Sequence, residues 1–146
     1  RQLLKALRDA GIPTVVTLGP VLPYLTDSLE NLQTLLADCV DAKVYGVLLN
    51  GFGVTLRAGA SAYFFSCLRE LSPELPEAYE ALLPPGKAGK TASFLSPNAE
   101  ALAEFFETST AACGLVTDPE DLFAFRHAFQ DRRSGQQLSL FDLYDL

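Results

Sequence analysis

The sequence predicts an α/β chain: two βα units followed by an α-helical C-terminal extension. Two apolar, β-branched runs, Thr14–Leu18 and Val44–Leu49, alternate with amphipathic helical stretches. The connections between them are short, as in a parallel sheet with helical crossovers. Beyond residue 58 the apolar spacing turns helical and stays so. The expected divisions are the βα units at 1–58, a helical extension at 59–133 and a tail at 134–146. With 146 residues and 49% apolar composition, the chain has material for one domain's core.

The elements follow in order. "RQLLKALRDAG" carries Leu3, Leu4 and Leu7 on one helical face, and Gly11 supplies a left-handed stop. Thr14–Leu18 is apolar on both faces, the pattern of a buried parallel strand. Gly19–Pro20 ends it, and Pro23 keeps the next loop irregular. Asp27 is expected to cap the following helix, with Glu30 as its capping-box partner. Leu29, Leu32, Leu36 and Cys39 then mark one helix face to about residue 41. Val44–Leu49 is the second strand, stopped by "NGFG". "SAYFFSCLRELS" is a helix with Phe64, Phe65, Leu68 and Leu71 inward. A short helix and a Gly-, Pro- and Lys-rich loop come next. Ser96 and Pro97 open a helix bearing Leu102, Phe105, Phe106 and Cys113. Asp118–Pro119 opens another, with Leu122, Phe125 and Phe129 at helical spacing. No further strand is expected. Two parallel strands do not make a stable sheet alone. The sheet therefore calls for completion by preceding residues or by a second copy of the chain.

Charge and cysteine usage narrow the function classes. A net charge of −7 argues against a general DNA-binding surface on this segment, since neutralising phosphates needs clustered Lys and Arg. Cys39, Cys67 and Cys113 lie far apart within apolar helical patterns, so they are expected to be buried free thiols, suited to a reducing cytoplasm. No signal peptide and no long apolar run is apparent, so neither secretion nor a membrane span is supported. The chain contains no Met and opens inside a helix, which suggests the C-terminal part of a longer protein.

In parallel α/β sheets, function gathers at the C-terminal ends of the strands. Those ends are "LGPVLPYLTD" and "LLNGFGVTLRAG". Gly19 leaves room for a ligand at the backbone. Asn50 offers an amide, Gly51 and Gly53 permit unusual backbone angles, and Arg57 is placed to meet an anion. The plainer alternatives are turn glycines and a surface arginine. His127, the only histidine, sits among phenylalanines, where a packing or surface role is expected. No Cys or His spacing fits zinc. "GKAGKT" has no preceding strand, which makes it a loop rather than a phosphate-binding P-loop.

"LLKALRDAGIPTVVTLGPVLPYLTDSLENLQTLL" resembles the late βα portion of radical S-adenosylmethionine enzymes. "GVLLNGFGVTLRAG", "LSPNAEALAEFFE" and "GQQLSLFDL" resemble the group related to spore photoproduct lyase, the DNA repair photolyase-like proteins. The resemblance covers nearly the whole chain. It implies the last two βα units of a partial (β/α)6 barrel, followed by the helical extension. It further implies a parent that binds a 4Fe–4S cluster through Cys-x-x-x-Cys-x-x-Cys. Reductive cleavage of S-adenosylmethionine then yields a 5′-deoxyadenosyl radical that abstracts hydrogen from substrate. This chain lacks that cysteine motif, so it is expected to be inactive alone and to hold no cofactor by itself. Under the resemblance, Gly19 matches a strand end near the cofactor's adenosyl part. Asn50 and Gly51 match the end of the last barrel strand. Nucleic acid is then a partner through the intact parent. The hydrogen-relay residues find no match.

The tail "QLSLF", Gln137 to Phe141, matches the short peptide by which bacterial replication and repair proteins dock on the DNA polymerase sliding clamp. Gln137 would satisfy a pocket rim, Leu138 would set the register, and Leu140 and Phe141 would fill an apolar cleft. Alternatively, Leu140 and Phe141 staple the tail to the helical extension. Two other readings of the whole chain stand beside the radical enzyme. One is a non-enzymatic interaction domain that recruits a partner through its helices and tail. The other is the end of a (β/α) barrel enzyme that uses no iron.

Overall fold

A computed structural model describes residues 1–127, with the side chains of 125–127 left out. The expected tail peptide, Gln137 to Phe141, and Phe129 lie outside the described residues. The elements are α1 (Gln2–Asp9), β1 (Val15–Leu18), α2 (Leu29–Asp41), β2 (Gly46–Leu49), β3 (Gly53–Leu56), α3 (Ala58–Leu71), α4 (Leu75–Leu82), β4 (Ala92–Leu95), α5 (Ala99–Cys113) and α6 (Pro119–His127).

The first two strands pair in parallel, from Val15 against Gly46 to Leu18 against Leu49. The crossover helix α2 covers one face of this pair, and α5 packs against α2. Leu18, Leu32, Leu36, Val47, Leu102 and Phe106 belong to the resulting core. The edge of β2 away from β1 is covered locally by the chain itself. The Val47 amide donates to the Val116 carbonyl at 2.8 Å, and the Val116 amide to the Tyr45 carbonyl at 3.3 Å. Gly46 permits this approach, because a Cβ there would lie 2.2 Å from the Val116 carbonyl oxygen. The sequence expectation of two unpaired edges is corrected to that extent. Among the described residues no strand pairs with the other edge of β1. Val15, expected to be buried, is 37% exposed at the strand without a second described neighbour, while on the same face Leu122 of α6 packs against Gly46 of β2.

The expectation of no further strand is also corrected. β3 and β4 form an antiparallel sheet, from Gly53 against Leu95 to Leu56 against Ala92. The expected helical extension at 59–133 therefore contains β4, and the sheet links the two sides of residue 58. Each strand is only four residues long, and its partner is distant in sequence. Val54, Leu56 and Phe94 turn inward onto Leu68 of α3 and Tyr79 of α4, forming a second core. Tyr79 is fully buried and meets Phe94 edge-on at 6.0 Å. Leu71, expected inside, is 67% exposed at the last turn of α3.

The caps differ from the sequence reading in an informative way. Ser28, not Asp27, caps α2, its hydroxyl accepting from the Asn31 amide at 3.1 Å. Asp27 is drawn inward instead, to 6% exposure. Its carboxylate accepts from the Ser96 hydroxyl at 2.5 Å and from the Asn98 side-chain amide at 3.3 Å. Ser96 in turn accepts from the Asn98 backbone amide at 2.9 Å, while Asn98 occupies the N-cap of α5. One carboxylate thus ties the entries of α2 and α5 together. Asp118 caps α6 as expected, accepting from the Glu120 amide at 2.8 Å. Of the three thiols only Cys39 is buried. Cys67 is half-buried and Cys113 is exposed at the end of α5, contrary to expectation.

Candidate functional site

The C-terminal ends of β1 and β2 emerge side by side. The Asn50 amide donates to the Leu18 carbonyl at 3.0 Å, extending the ladder by one step. Gly19 follows Leu18 with φ at +142°, and its peptide to Pro20 is cis. A Cβ on Gly19 would approach the Asn50 Cβ to 3.1 Å. Close packing against Asn50 and an unusual backbone angle thus account for this glycine without a ligand. Gly51 differs: its φ is +88°, and nothing lies within 4 Å of where a Cβ would stand. The turn there opens onto empty space.

These residues share one cleft of about 530 Å³ with Pro20, Thr55 and Arg57. The residues singled out at the strand ends, Gly19, Asn50, Gly51, Gly53 and Arg57, all line this cleft. Arg57 stands at the N-cap of α3 and is exposed. A smaller cavity of about 180 Å³ lies against the same Gly19–Pro20 segment, toward Val21, Leu32, Phe52 and Leu102.

The loop that carries Gly19 away from β1 is firmly held. The Leu22 amide donates to the Thr26 hydroxyl at 2.8 Å, and the Asn31 side chain donates to the Thr26 carbonyl at 2.8 Å. From the second core, the Tyr79 hydroxyl donates to the Pro23 carbonyl at 2.7 Å. Burial, with the nearby Asp27 and Tyr24, pushes the Tyr79 phenol up to about 12. It stays a hydrogen-bond donor at any physiological pH. Asp27, Ser96 and Tyr79 are the supporting residues that sequence reasoning missed. The available signal was weak: an Asp before Ser-Leu-Glu looks first like a helix cap.

The charge around the cleft is uneven. Arg1, at the N-cap of α1, and Lys5 and Arg8 on it are all matched by carboxylates, those of Asp38, Asp41 and Asp9. No such ion pair engages Arg57, Lys87 or Lys90 among the described residues. An iron–sulfur cluster finds no ligand set here. The three cysteines lie on α2, α3 and α5, and the described residues contain no group of three His, Cys, Asp or Glu side chains able to hold a metal. No described helix is long and apolar enough to cross a membrane.

No family model and no solved structure matches the chain. The chain is similar to uncharacterized proteins of Mycobacterium bovis and of two Mycobacterium tuberculosis strains. Each is 40% identical over 80 residues, which make up 55% of this chain and 23% of the relative. The similarity thus spans under a quarter of the length of these curated relatives.

Proposed function

We propose that this chain is the C-terminal part of a radical S-adenosylmethionine enzyme of the photolyase-like group, acting on nucleic acid, with a tail that docks on the sliding clamp. The observation that carries this reading is the convergence of Gly19, Asn50 and Gly51 at the ends of two parallel strands, in one open cleft. The greater length of the mycobacterial relatives is consistent with a protein in which further βα units complete the sheet. The edge of β1, which pairs with no second strand among the described residues, is where such units would pack.

The residues present suit the adenosyl part of S-adenosylmethionine. Gly51 leaves the backbone open at the strand end, and Asn50 offers an amide able both to donate to and accept from a base edge or ribose hydroxyl. Bound there, S-adenosylmethionine would supply hydrogen-abstraction chemistry, the one electron this requires coming from the cluster of the parent. This chain's own contribution is to position that group. The ladder bond from Asn50 to Leu18 sets the strand end, while Tyr79 and Asn31 hold the loop after it. The cluster itself does not fit this chain's residues and belongs with a cysteine motif elsewhere in the parent.

The test is anaerobic reconstitution of the longer protein containing this segment, followed by iron and sulfide assay and detection of 5′-deoxyadenosine. A reconstituted cluster with S-adenosylmethionine cleavage is expected, and Asn50→Ala should weaken cofactor binding. The 146-residue chain treated in the same way should bind no iron, because three thiolates must converge to hold a cluster. A longer protein with neither cluster nor cleavage would sink the reading.

A further inference from the structure

All the acidic residues lie outside two stretches of the chain, and those stretches come together in space. Residues 42–69 and 81–99 contain no Asp or Glu, although the whole chain carries a charge of −7. They do contain Lys43, Arg57, Arg69, Lys87 and Lys90. The β3–β4 pairing brings the two stretches side by side.

The two faces of this ribbon are chemically distinct. Val54, Leu56, Ala92 and Phe94 are buried, so the alternate residues Thr55, Ser93 and Leu95 face outward. The Thr55 and Ser93 hydroxyls meet at 2.8 Å across the ribbon. At the ribbon's end the Ala58 amide donates to the Thr91 hydroxyl at 3.2 Å. This bond brings the end of the Lys-rich loop, Lys90–Thr91, to the start of α3 beside Arg57. Leu95 is 65% exposed at the opposite end, where it lines the strand-end cleft. The outer face therefore runs from cations that no described carboxylate pairs, past a pair of hydroxyls, to an apolar side chain at the cleft mouth.

We infer that the outer face of the β3–β4 ribbon is a binding surface for a single strand of nucleic acid. Arg57, Lys87 and Lys90 hold its phosphodiester groups, and Leu95 supports a base or sugar at the cleft. Cations that no described carboxylate pairs, hydroxyls able to donate to phosphate oxygens, and an exposed apolar contact form the combination that a single strand uses. The ribbon extends for roughly 14 Å, at about 3.4 Å per residue, which suits a repeating anion better than one phosphate. The inference rests on the nucleic-acid reading above and gives that substrate a specific surface. It also fits an acidic chain handling a polyanion, because the two stretches that form the ribbon contribute no Asp or Glu.

The test is fluorescence anisotropy of a labelled single-stranded oligonucleotide of about twelve nucleotides, titrated with the 146-residue chain over a range of salt. Arg57→Gln, Lys87→Gln and Lys90→Gln are compared singly and together, with circular dichroism to confirm folding. The triple variant is expected to bind at least about tenfold more weakly and to lower the salt slope by about two, near 0.7 per lost contact. Arg69→Gln, roughly 18 Å away at the far end of α3, should leave both unchanged. An oligonucleotide that does not bind at low salt would overturn the inference. Equal losses from Arg69→Gln and Arg57→Gln would do so as well. Adenosine diphosphate that binds as tightly as the strand and displaces it would assign the face to a free nucleotide instead. No cluster or cofactor enters this assay, so failure here and failure of the radical reading are separable.

Discussion

At the scale of single residues, the chain's tightest demands are steric and polar rather than catalytic. Gly46 is the sharpest case, since a Cβ there would collide with the Val116 carbonyl and with Leu122. Gly46→Ala should destabilise the fold by about 1–3 kcal/mol, as overpacking does, read as a lowered urea midpoint at unchanged slope. Gly59 on α3 meets nothing within 4 Å, and Gly59→Ala should be neutral or stabilising by up to about 1 kcal/mol. Tyr79 tests the buried polar contact to Pro23. Its phenol is held up to about 12 in the folded chain, against about 10 when unfolded. A raised folded value means that the folded state keeps the proton longer. The stabilisation is present below about pH 10 and is lost as pH rises toward 12. Tyr79→Phe should remove that component, so wild type and variant should converge in stability between pH 10 and 12. Cys39 and Cys113 give a chemical readout. Burial, with Asp38 nearby, pushes the Cys39 thiol up, while Cys113 is exposed. A thiol reagent should label Cys113 rapidly in the native chain and Cys39 only on unfolding.

At the scale of elements, local signals were legible and non-local ones were not. The parallel pair β1–β2 and the helices α2, α5 and α6 follow from apolar spacing and turn residues, which a single stretch of sequence displays. β3 and β4 do not. Each is four residues long, and the Thr55–Ser93 contact bridges a separation of 38 residues. Their alternation of buried and exposed side chains is present in the sequence, yet too short to outweigh the helical patterns around it. The same physics misled the reading of Asp27. A local rule made it a helix cap, while the folded chain uses it to join two helix entries through Ser96 and Asn98. Of the candidate site, the strand-end trio could be read from topology, but the ribbon beside it could not. The Asp27 junction can be tested directly. Asp27→Ala leaves the Ser96 hydroxyl without its buried acceptor and the Asn98 side-chain amide with only the main-chain carbonyl of residue 27, and should cost about 1–3 kcal/mol. Ser28→Ala should cost about 1 kcal/mol, the ordinary worth of an N-cap. If the two losses came out equal and small, Asp27 would be no more than a cap.

At the scale of the whole molecule, charge and apolar surface are divided among separate regions. The cations at α1 are paired with neighbouring carboxylates, whereas among the described residues no ion pair engages those of the ribbon. The tail sequence, outside the described residues, has Gln137, Leu138, Leu140 and Phe141 in the order proposed above for sliding-clamp docking. Under the proposed function, a tail holding the chain on a clamp would raise the effective concentration of the ribbon near DNA, so that a weak nucleic-acid contact would suffice. The tail should therefore bind weakly and independently of the body. A peptide containing Gln137 to Phe141 is expected to bind a bacterial sliding clamp at about micromolar Kd, some 8 kcal/mol. Phe141→Ala should cost about 2 kcal/mol of that binding, as loss of a buried aromatic anchor does. Ser139→Ala should cost little, because a hydroxyl at a pocket rim can stay hydrated. The stapling alternative makes the opposite forecast. Under it, Phe141→Ala lowers the Tm of the 146-residue chain, and the free peptide shows no clamp affinity even at millimolar concentration. Calorimetry on the peptide and thermal unfolding of the same variant decide between them. Clamp binding with an unchanged Tm establishes the docking tail. The reverse pair of results returns Leu140 and Phe141 to the core.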